Sequence, residues 1–174
     1  MKNSSFSTKK IALNGILGAL AVISLLLATI MPTNRLSFYA LSSFFISVAI
    51  VESGIKAGWL FYAATSLLSL IIVPEKLGLI PYVLFFGIYG IVKYYIEKLN
   101  KLIIEYVLKF IYFSICLGIA ILTVSQLFNT GLIAKMPWWL LVIALESIFF
   151  VYDFVYTLFI NYYREKLKPR LNQK

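Results

Sequence analysis

The chain has 174 residues, of which 61% are hydrophobic and only 13% are charged. A soluble domain of this size could not cover so much apolar surface with so few charged side chains, so composition predicts an integral membrane protein. The formal net charge of +9 is better explained by basic residues retained at one membrane surface than by nucleic-acid binding, which we do not expect.

The residues needed for most enzyme chemistry are missing from this sequence. It has no histidine and a single cysteine, Cys116, which excludes an internal disulfide, histidine-dependent zinc or haem sites and any triad built on histidine. No GxxxxGK[ST] phosphate loop occurs either. We therefore expect no catalytic residues, no metal site, no cofactor and no enzymatic activity.

Six apolar stretches follow one another along the chain and predict an all-α, six-helix membrane bundle. Spanning a bilayer takes about 20 residues, a length that the first, fifth and sixth stretches meet comfortably. The second and fourth are short and need flanking polar residues to reach the membrane interface. The first follows Lys9-Lys10 and lacks a signal-peptide cleavage site, so we interpret it as a retained helix. The predicted spans are 11–31, 36–51, 57–73, 77–92, 106–128 and 138–160, within one membrane domain that covers residues 1–174.

The distribution of basic residues predicts the orientation of this bundle. Thirteen of the sixteen lysines and arginines lie at the two termini and around the even-numbered loops, whereas Arg35, Lys76 and Lys135 lie in odd-numbered loops. By the positive-inside rule, the pattern predicts a multi-pass protein of the cell membrane with both termini in the cytoplasm. Each odd-numbered loop also contains a proline, where a helix must stop: Pro32, Pro74 and Pro137.

The segment KYYIEKLNKLIIEYVLKF, residues 93–110, mixes charged and apolar side chains. This pattern is typical of an amphipathic helix at the inner membrane surface whose lysines extend to the headgroups. Glu105 and Lys109 are spaced i,i+4 in the favourable order, which predicts an ion pair on that helix.

The first stretch carries a flank of small residues in ALNGILGALA, residues 12–21. Gly15 and Ala19 form a small-xxx-small pair, which lets two membrane helices approach closely. The flank has two interpretations: it packs against another helix of the same chain, or it docks against another membrane protein.

Six helices in under 200 residues, with both ends inside and KKIALNGILGALAVI opening the first helix, resemble the substrate-binding S components of energy-coupling factor (ECF) transporters. The resemblance implies a substrate-specificity subunit that captures a vitamin-like or other small molecule at the outer face. It also implies two kinds of partner, a transmembrane coupling subunit and separate ATPases. In that family an Ala-x-x-x-Ala pattern on the first helix contacts the coupling subunit. Here Gly15 and Ala19 match that pattern, with Gly in place of the first Ala, and Ala12 lies on the same flank.

The same resemblance places the ligand near the outer face, where several aromatic and polar residues are expected. Stacking aromatics with a few convergent polar groups are what a small-molecule pocket requires. Each residue also has a structural interpretation, Asn34 as a turn or cap residue, Arg35 as a headgroup contact and the tryptophans as interface anchors. The candidate substrate-binding residues are Asn34, Arg35, Tyr82, Gln126, Asn129, Trp138, Trp139 and Glu146.

Glu146 and Asp153 interrupt the last apolar stretch, and an ionised carboxylate in hydrocarbon costs at least roughly 2.5 kcal/mol. For Asp153 we expect a structural role, with Asn14 or Lys109 as its partner. Glu146 has no basic residue at its own depth. It either faces the pocket and binds an amine, ring N–H or cation of the substrate, or it is protonated and forms an interhelical hydrogen bond.

Two other functions compete with substrate capture. One is a six-helix membrane scaffold of the kind represented by the cell-shape protein MreD, which resembles S components in fold. The other is a membrane-embedded enzyme acting on lipid, which we rank last because the sequence offers neither a metal set nor a nucleophile–base pair.

Overall fold

The computed structural model describes residues 8–127 and 138–167, except for the side chains of residues 32, 120–127, 138, 139 and 141. The described residues form helices joined by short turns, which confirms the all-α class. Six segments are long and apolar enough to span a membrane. The helices are α1 (Thr8–Ile30), α2 (Arg35–Ser53), α3 (Ile55–Ile72), α4 (Gly87–Glu97), α5 (Leu102–Leu127) and α6 (Trp138–Tyr162).

Contacts between helix ends define the two ends of the bundle. At the end where α1 begins and α6 finishes, here called the terminal end, Asn14 Nδ2 of α1 donates a hydrogen bond to Ser53 Oγ of α2 across 3.0 Å. Tyr163 Oη donates to Glu52 Oε1 at the same end, across 3.3 Å. At the opposite end, here called the loop end, Arg35 at the start of α2 lies 2.9 Å from a carboxylate oxygen of Glu75 beyond α3.

Small and hydroxyl-bearing residues allow α1 and α2 to pack closely. Ala21 and Ala28 of α1 are fully buried, and Ser24 of α1 and Ser47 of α2 are also buried. The hydroxyl of Ser24 donates to the carbonyl oxygen of Leu20 across 2.9 Å, and Ser47 donates in the same way to Phe44 across 2.7 Å. Because these hydroxyls return to carbonyls of their own helix, they are buried without an unmet hydrogen bond, and the backbones approach as small residues permit in membrane helices.

The fourth span is irregular along its first half. A 3-10 turn at Leu77–Leu79 precedes Pro81, a π-helical turn follows at Tyr82–Phe86, and regular α-helix begins only at Gly87. Proline lacks a backbone N–H, so the helix cannot run uninterrupted through this point. Single π turns are the usual form of π-helix within α-helices, and here the turn begins at Tyr82, which is buried in the core.

The fourth and fifth helices extend beyond their predicted limits. We predicted helix over 77–92 and 106–128, but α4 continues to Glu97 and α5 already starts at Leu102. The prediction of an interfacial helix over 93–110 is therefore wrong, because this segment comprises two helix ends and a short turn through Asn100, whose φ is 51°. Lys93 and Lys109 do not extend towards headgroups: they are only 1% and 6% exposed.

Candidate functional site

At the loop end, the predicted site residues Asn34 and Arg35 lie at the start of α2. Asn34 is exposed and makes no side-chain capping hydrogen bond to the helix. Arg35 donates to both carboxylate oxygens of Glu75, across 2.9 and 3.5 Å. Beside this ion pair, Tyr39 Oη donates to the carbonyl oxygen of Gly78. Arg35 thus ties the turn after α1 to the turn after α3.

Tyr82 lies in the packed core of the bundle. Its side chain is fully buried, and its hydroxyl shares a hydrogen bond of 2.7 Å with Thr65 Oγ1 of α3. Thr65 in turn donates to the carbonyl oxygen of Phe61 across 2.8 Å. With its hydroxyl engaged and its ring enclosed by the core, Tyr82 stabilises the packing of the bundle and presents no accessible surface to a ligand in this conformation.

Four of the predicted site residues fall partly or wholly outside the described part. Gln126 lies in the last turn of α5, and Trp138 and Trp139 open α6, but nothing is described of their side chains. Asn129 lies outside the described residues.

Glu146 belongs to α6, contacts α5 and is 8% exposed. Ser114 Oγ of α5 donates to Glu146 Oε1 across 2.8 Å. The other oxygen, Oε2, is buried and has no hydrogen-bond partner among the described residues. A buried carboxylate oxygen without a donor is costly, so this atom is placed to accept a hydrogen bond from an N–H group or a cation. Three of the predicted site residues with described side chains form hydrogen bonds, and each has a different partner. Arg35 bonds to Glu75, Tyr82 to Thr65 and Glu146 to Ser114.

Asp153 joins α4, α5 and α6 through an ion cluster, which we define as Lys93, Glu97, Lys109 and Asp153. Lys109 Nζ lies 3.0 Å from Asp153 Oδ2 and 3.1 Å from Glu97 Oε1. Lys93 Nζ pairs with Asp153 Oδ1 and lies 2.7 Å from Glu97 Oε1. Two ammonium groups thus face two carboxylates, so the cluster carries no excess charge.

Two hydroxyls complete the coordination of the ion cluster. Tyr89 Oη donates to Asp153 Oδ1 across 2.5 Å, and Lys93 Nζ donates to Thr157 Oγ1 across 2.8 Å. Buried ions are retained where both partners and further hydrogen bonds satisfy them. The cluster therefore holds helices together and offers no free charge to a ligand.

One of the two partners that we predicted for Asp153 is confirmed and the other is wrong. Lys109 contacts Asp153, whereas Asn14 bonds instead to Ser53. We expected Lys109 to pair with Glu105. Among the described residues, Lys109 forms its salt bridges with Glu97 and Asp153 instead. The residue missed was Lys93, whose i,i+4 spacing to Glu97 was the available signal.

An aromatic cluster surrounds Phe85 between the ion cluster and Glu146. Ring centroids from α4, α5 and α6 lie 5.3 to 6.0 Å from that of Phe85. Phe113 and Phe149 stack at 4.5 Å with an interplanar angle of 11°. Offset and edge-to-face pairs of this kind add to the stabilisation that burial alone supplies. The rings around Phe85 include Tyr89, Phe113, Phe149 and Tyr152.

The small flank of α1 is open in the structure. Ala12, Gly15 and Ala19 are all exposed, and a Cβ atom built on Gly15 would meet no atom of the described residues within 4 Å. Gly18, on a neighbouring face, points towards Phe61 and Thr65 of α3. Packing within the described part of the chain therefore does not account for Ala12, Gly15 and Ala19.

Among the described residues, no group of three or more histidine, cysteine, aspartate or glutamate side chains is arranged to hold a metal ion. The arrangement that remains for chemistry is a buried carboxylate with one free oxygen, a set of core aromatics and an uncovered helix flank. Comparison of the chain with protein-family models, with curated proteins and with solved structures finds no match.

Proposed function

We propose that this chain is a multi-pass protein of the cell membrane with both termini in the cytoplasm. Six helices of sufficient length and apolarity support membrane insertion. The orientation rests on the basic residues: within the described part, the terminal end has nine lysines and arginines near it and the loop end has only Arg35 and Lys76. The nine are Lys9, Lys10, Lys56, Lys93, Lys98, Lys101, Lys109, Arg164 and Lys166.

In this orientation, we propose that the chain is the substrate-specificity subunit of an ECF-type importer. The observation that carries the proposal is Glu146, a buried carboxylate whose Oε2 has no partner in the described part of the chain. Holding such an atom ionised inside an apolar bundle is unfavourable, and an N–H group or cation of a ligand would remove that cost. Intramembrane ionisable groups facing a bundle interior commonly mark a substrate path, so Glu146 supports a substrate with an N–H or cationic group.

The open flank of α1 supports the second half of the proposal, a partner in the membrane. Ala12, Gly15 and Ala19 leave a shallow surface on which another helix can pack closely. The coupling subunit of an ECF-type importer is the partner proposed for it, with ATPases bound to that subunit in turn.

A structural scaffold of the MreD kind is the second candidate. The observation that favours it is the ion cluster, which ties three helices together and is satisfied without any ligand. A scaffold needs rigidity and a partner surface, and both are present here.

Native mass spectrometry of gently purified protein separates the two candidates. If the chain captures a substrate, a small molecule co-purifies in a stoichiometric amount with the native protein and is lost from the Glu146→Gln variant. The importer proposal would be contradicted if the native protein carried no bound metabolite and co-purified with cell-wall proteins instead of transporter ATPases. That result would favour the scaffold.

A further inference from the structure

A cavity of about 250 Å³ opens at the terminal end, away from Glu146. Helices α2, α4 and α6 form its walls, and polar and charged side chains predominate where α4 and α6 end. Its size lies just below the range of roughly 300–1,000 Å³ typical of whole small-molecule pockets. The cavity therefore suits one compact group of a ligand whose remainder lies outside. The charged residues that line it are Lys93, Glu97, Lys98 and Arg164.

The charges on the cavity wall do not cancel. Lys93 and Glu97 belong to the ion cluster, where Lys109 and Asp153 balance them. Lys98 and Arg164 are exposed, and among the described residues neither forms a salt bridge with a carboxylate. The wall consequently presents two uncompensated positive charges, which favours an anion.

The position of the cavity indicates what kind of anion reaches it. Lys98 directly follows the span that ends at Glu97, and Arg164 lies in the last turn of the span that ends at Leu167. With the chain inserted in the membrane as proposed above, on which this step rests, both side chains lie at the depth of the lipid headgroups. Tyr94, which also lines the cavity, is 37% exposed, as an interfacial aromatic residue is expected to be.

We infer that this cavity binds a phosphate group between Lys98 and Arg164. Basic pockets between helices at a membrane surface bind the headgroups of anionic lipids, and arginine matches the geometry of a phosphate through paired N–H donors. An anionic phospholipid and a soluble phosphate ester share this chemistry. A phospholipid would leave its acyl chains on the apolar flanks of α4 and α6, whereas a soluble ester would enter from water. The site is separate from Glu146 and does not depend on the importer proposal.

The test compares two variants that each remove two positive charges from the terminal end. Lys98→Gln/Arg164→Gln removes the cations of the cavity. Lys10→Gln/Lys56→Gln removes two exposed lysines of α1 and α3 that do not line it. Both proteins are reconstituted in nanodiscs of phosphatidylcholine with and without phosphatidylglycerol, and retained lipid is counted by native mass spectrometry. In lipid-free detergent, unfolding midpoints are measured with sodium phosphate, with glycerol 3-phosphate and with sodium chloride of equal ionic strength.

For a lipid ligand, we expect retained phosphatidylglycerol to fall about fivefold per cation removed from the cavity, from roughly 1 kcal/mol per basic residue near an anionic surface. The control variant should lose little. For a soluble ester, phosphate or glycerol 3-phosphate should raise the unfolding midpoint of the native protein and of the control, but not of the cavity variant. Equal behaviour of the two variants in both experiments overturns the inference, because the attraction is then a general property of the basic surface.

Discussion

Lys109 of α5 donates a hydrogen bond to Asp153 of α6 across 3.0 Å, and both side chains are more than nine-tenths buried. This pair gives Asp153 a role that needs no ligand. The same carboxylate also contacts Lys93 of α4 and the hydroxyl of Tyr89. Asp153 is thus the point at which three helices are joined.

Replacement of Asp153 by asparagine should therefore destabilise the protein strongly. The change leaves Glu97 as the one carboxylate of the ion cluster for two buried ammonium groups, and breaking a buried ion pair by removing one partner costs about 3–5 kcal/mol. Lys109→Met should cost less, because Asp153 keeps Lys93 and Tyr89. Thermal unfolding in detergent should rank the proteins accordingly, with the exposed Lys56→Met as the control. A milder effect for Asp153→Asn than for Lys109→Met would contradict the central role of this carboxylate.

The ion cluster also explains which parts of the fold could be predicted from the sequence. Apolar stretches located all six helices, because hydrophobicity along the chain is a local property. The ends of α4 and α5 could not be located in that way. Lys93 and Glu97 look like boundary residues when each is considered alone. Their pairing with Asp153 of α6 and Lys109 of α5 lets α4 continue past them.

The site was harder to predict than the fold for a similar reason. That Asp153 needs a partner follows from the cost of burying a charge, and Lys109 was one of two candidates at the right depth. Lys93 was assigned to the membrane surface, since no sequence pattern shows that α4 turns it towards Asp153. Glu146 was expected to lack a basic partner, and in the described part it contacts only a serine hydroxyl.

Gly90 should not tolerate even a methyl group. A Cβ atom at this position would collide with the hydroxyl of Tyr156, which is fully buried and donates to the carbonyl oxygen of Ser43 across 3.0 Å. We expect Gly90→Ala to lower stability by about 1–3 kcal/mol, as overpacking of cores does. Gly118→Ala is the matched control, because no atom of the residues that the structure describes lies within 4 Å of its added Cβ. Chemical denaturation of the two variants measures the difference, and equal stabilities would show that Tyr156 can move aside.

Glu146→Gln keeps the shape of the side chain and removes its charge. If Glu146 binds a substrate cation or N–H group, affinity should fall by roughly 1.5–3 kcal/mol, the contribution of a hydrogen bond to a charged group. The unfolding temperature of the ligand-free variant should equal that of the ligand-free native protein. Binding is measured with the metabolite that co-purifies with the native protein.

Ser114→Ala provides the comparison for Glu146. It removes the donor to Oε1 and leaves the carboxylate in place. A purely structural Glu146 predicts similar losses of stability in both variants and no change in affinity, and that result would remove Glu146 from the proposed binding site.

The flank of α1 can be filled without disturbing the bundle. Gly15→Leu and Ala19→Leu add side chains at exposed positions, so each variant should fold as the native protein does. Recovery of the coupling subunit in pull-downs should fall about tenfold, equal to 1.4 kcal/mol, because the added side chains keep the helices apart. Ala64→Leu, at an exposed position of α3, is the control. Undiminished recovery with both α1 variants would show that the partner binds elsewhere.

Orientation is tested by single cysteines in a Cys116→Ser background. Thr33 at the loop end and Lys101 at the terminal end are both exposed and take no part in the ion cluster. In intact cells, an impermeant thiol reagent should label Thr33→Cys and leave Lys101→Cys unlabelled until the membrane is permeabilised. The reverse pattern would overturn the proposed topology.

The single-residue connection between α2 and α3 has a consequence for how the protein is made. Gly54, with φ of 88°, is the only residue between Ser53 and Ile55. Its N–H donates to the carbonyl oxygen of Ile50 and its own carbonyl accepts from Gly58, so the turn exposes almost no unpaired backbone. Because one residue separates the two helices, a nascent chain cannot insert α2 into the bilayer while α3 stays outside it. We therefore expect α2 and α3 to enter the bilayer together, as one helical hairpin.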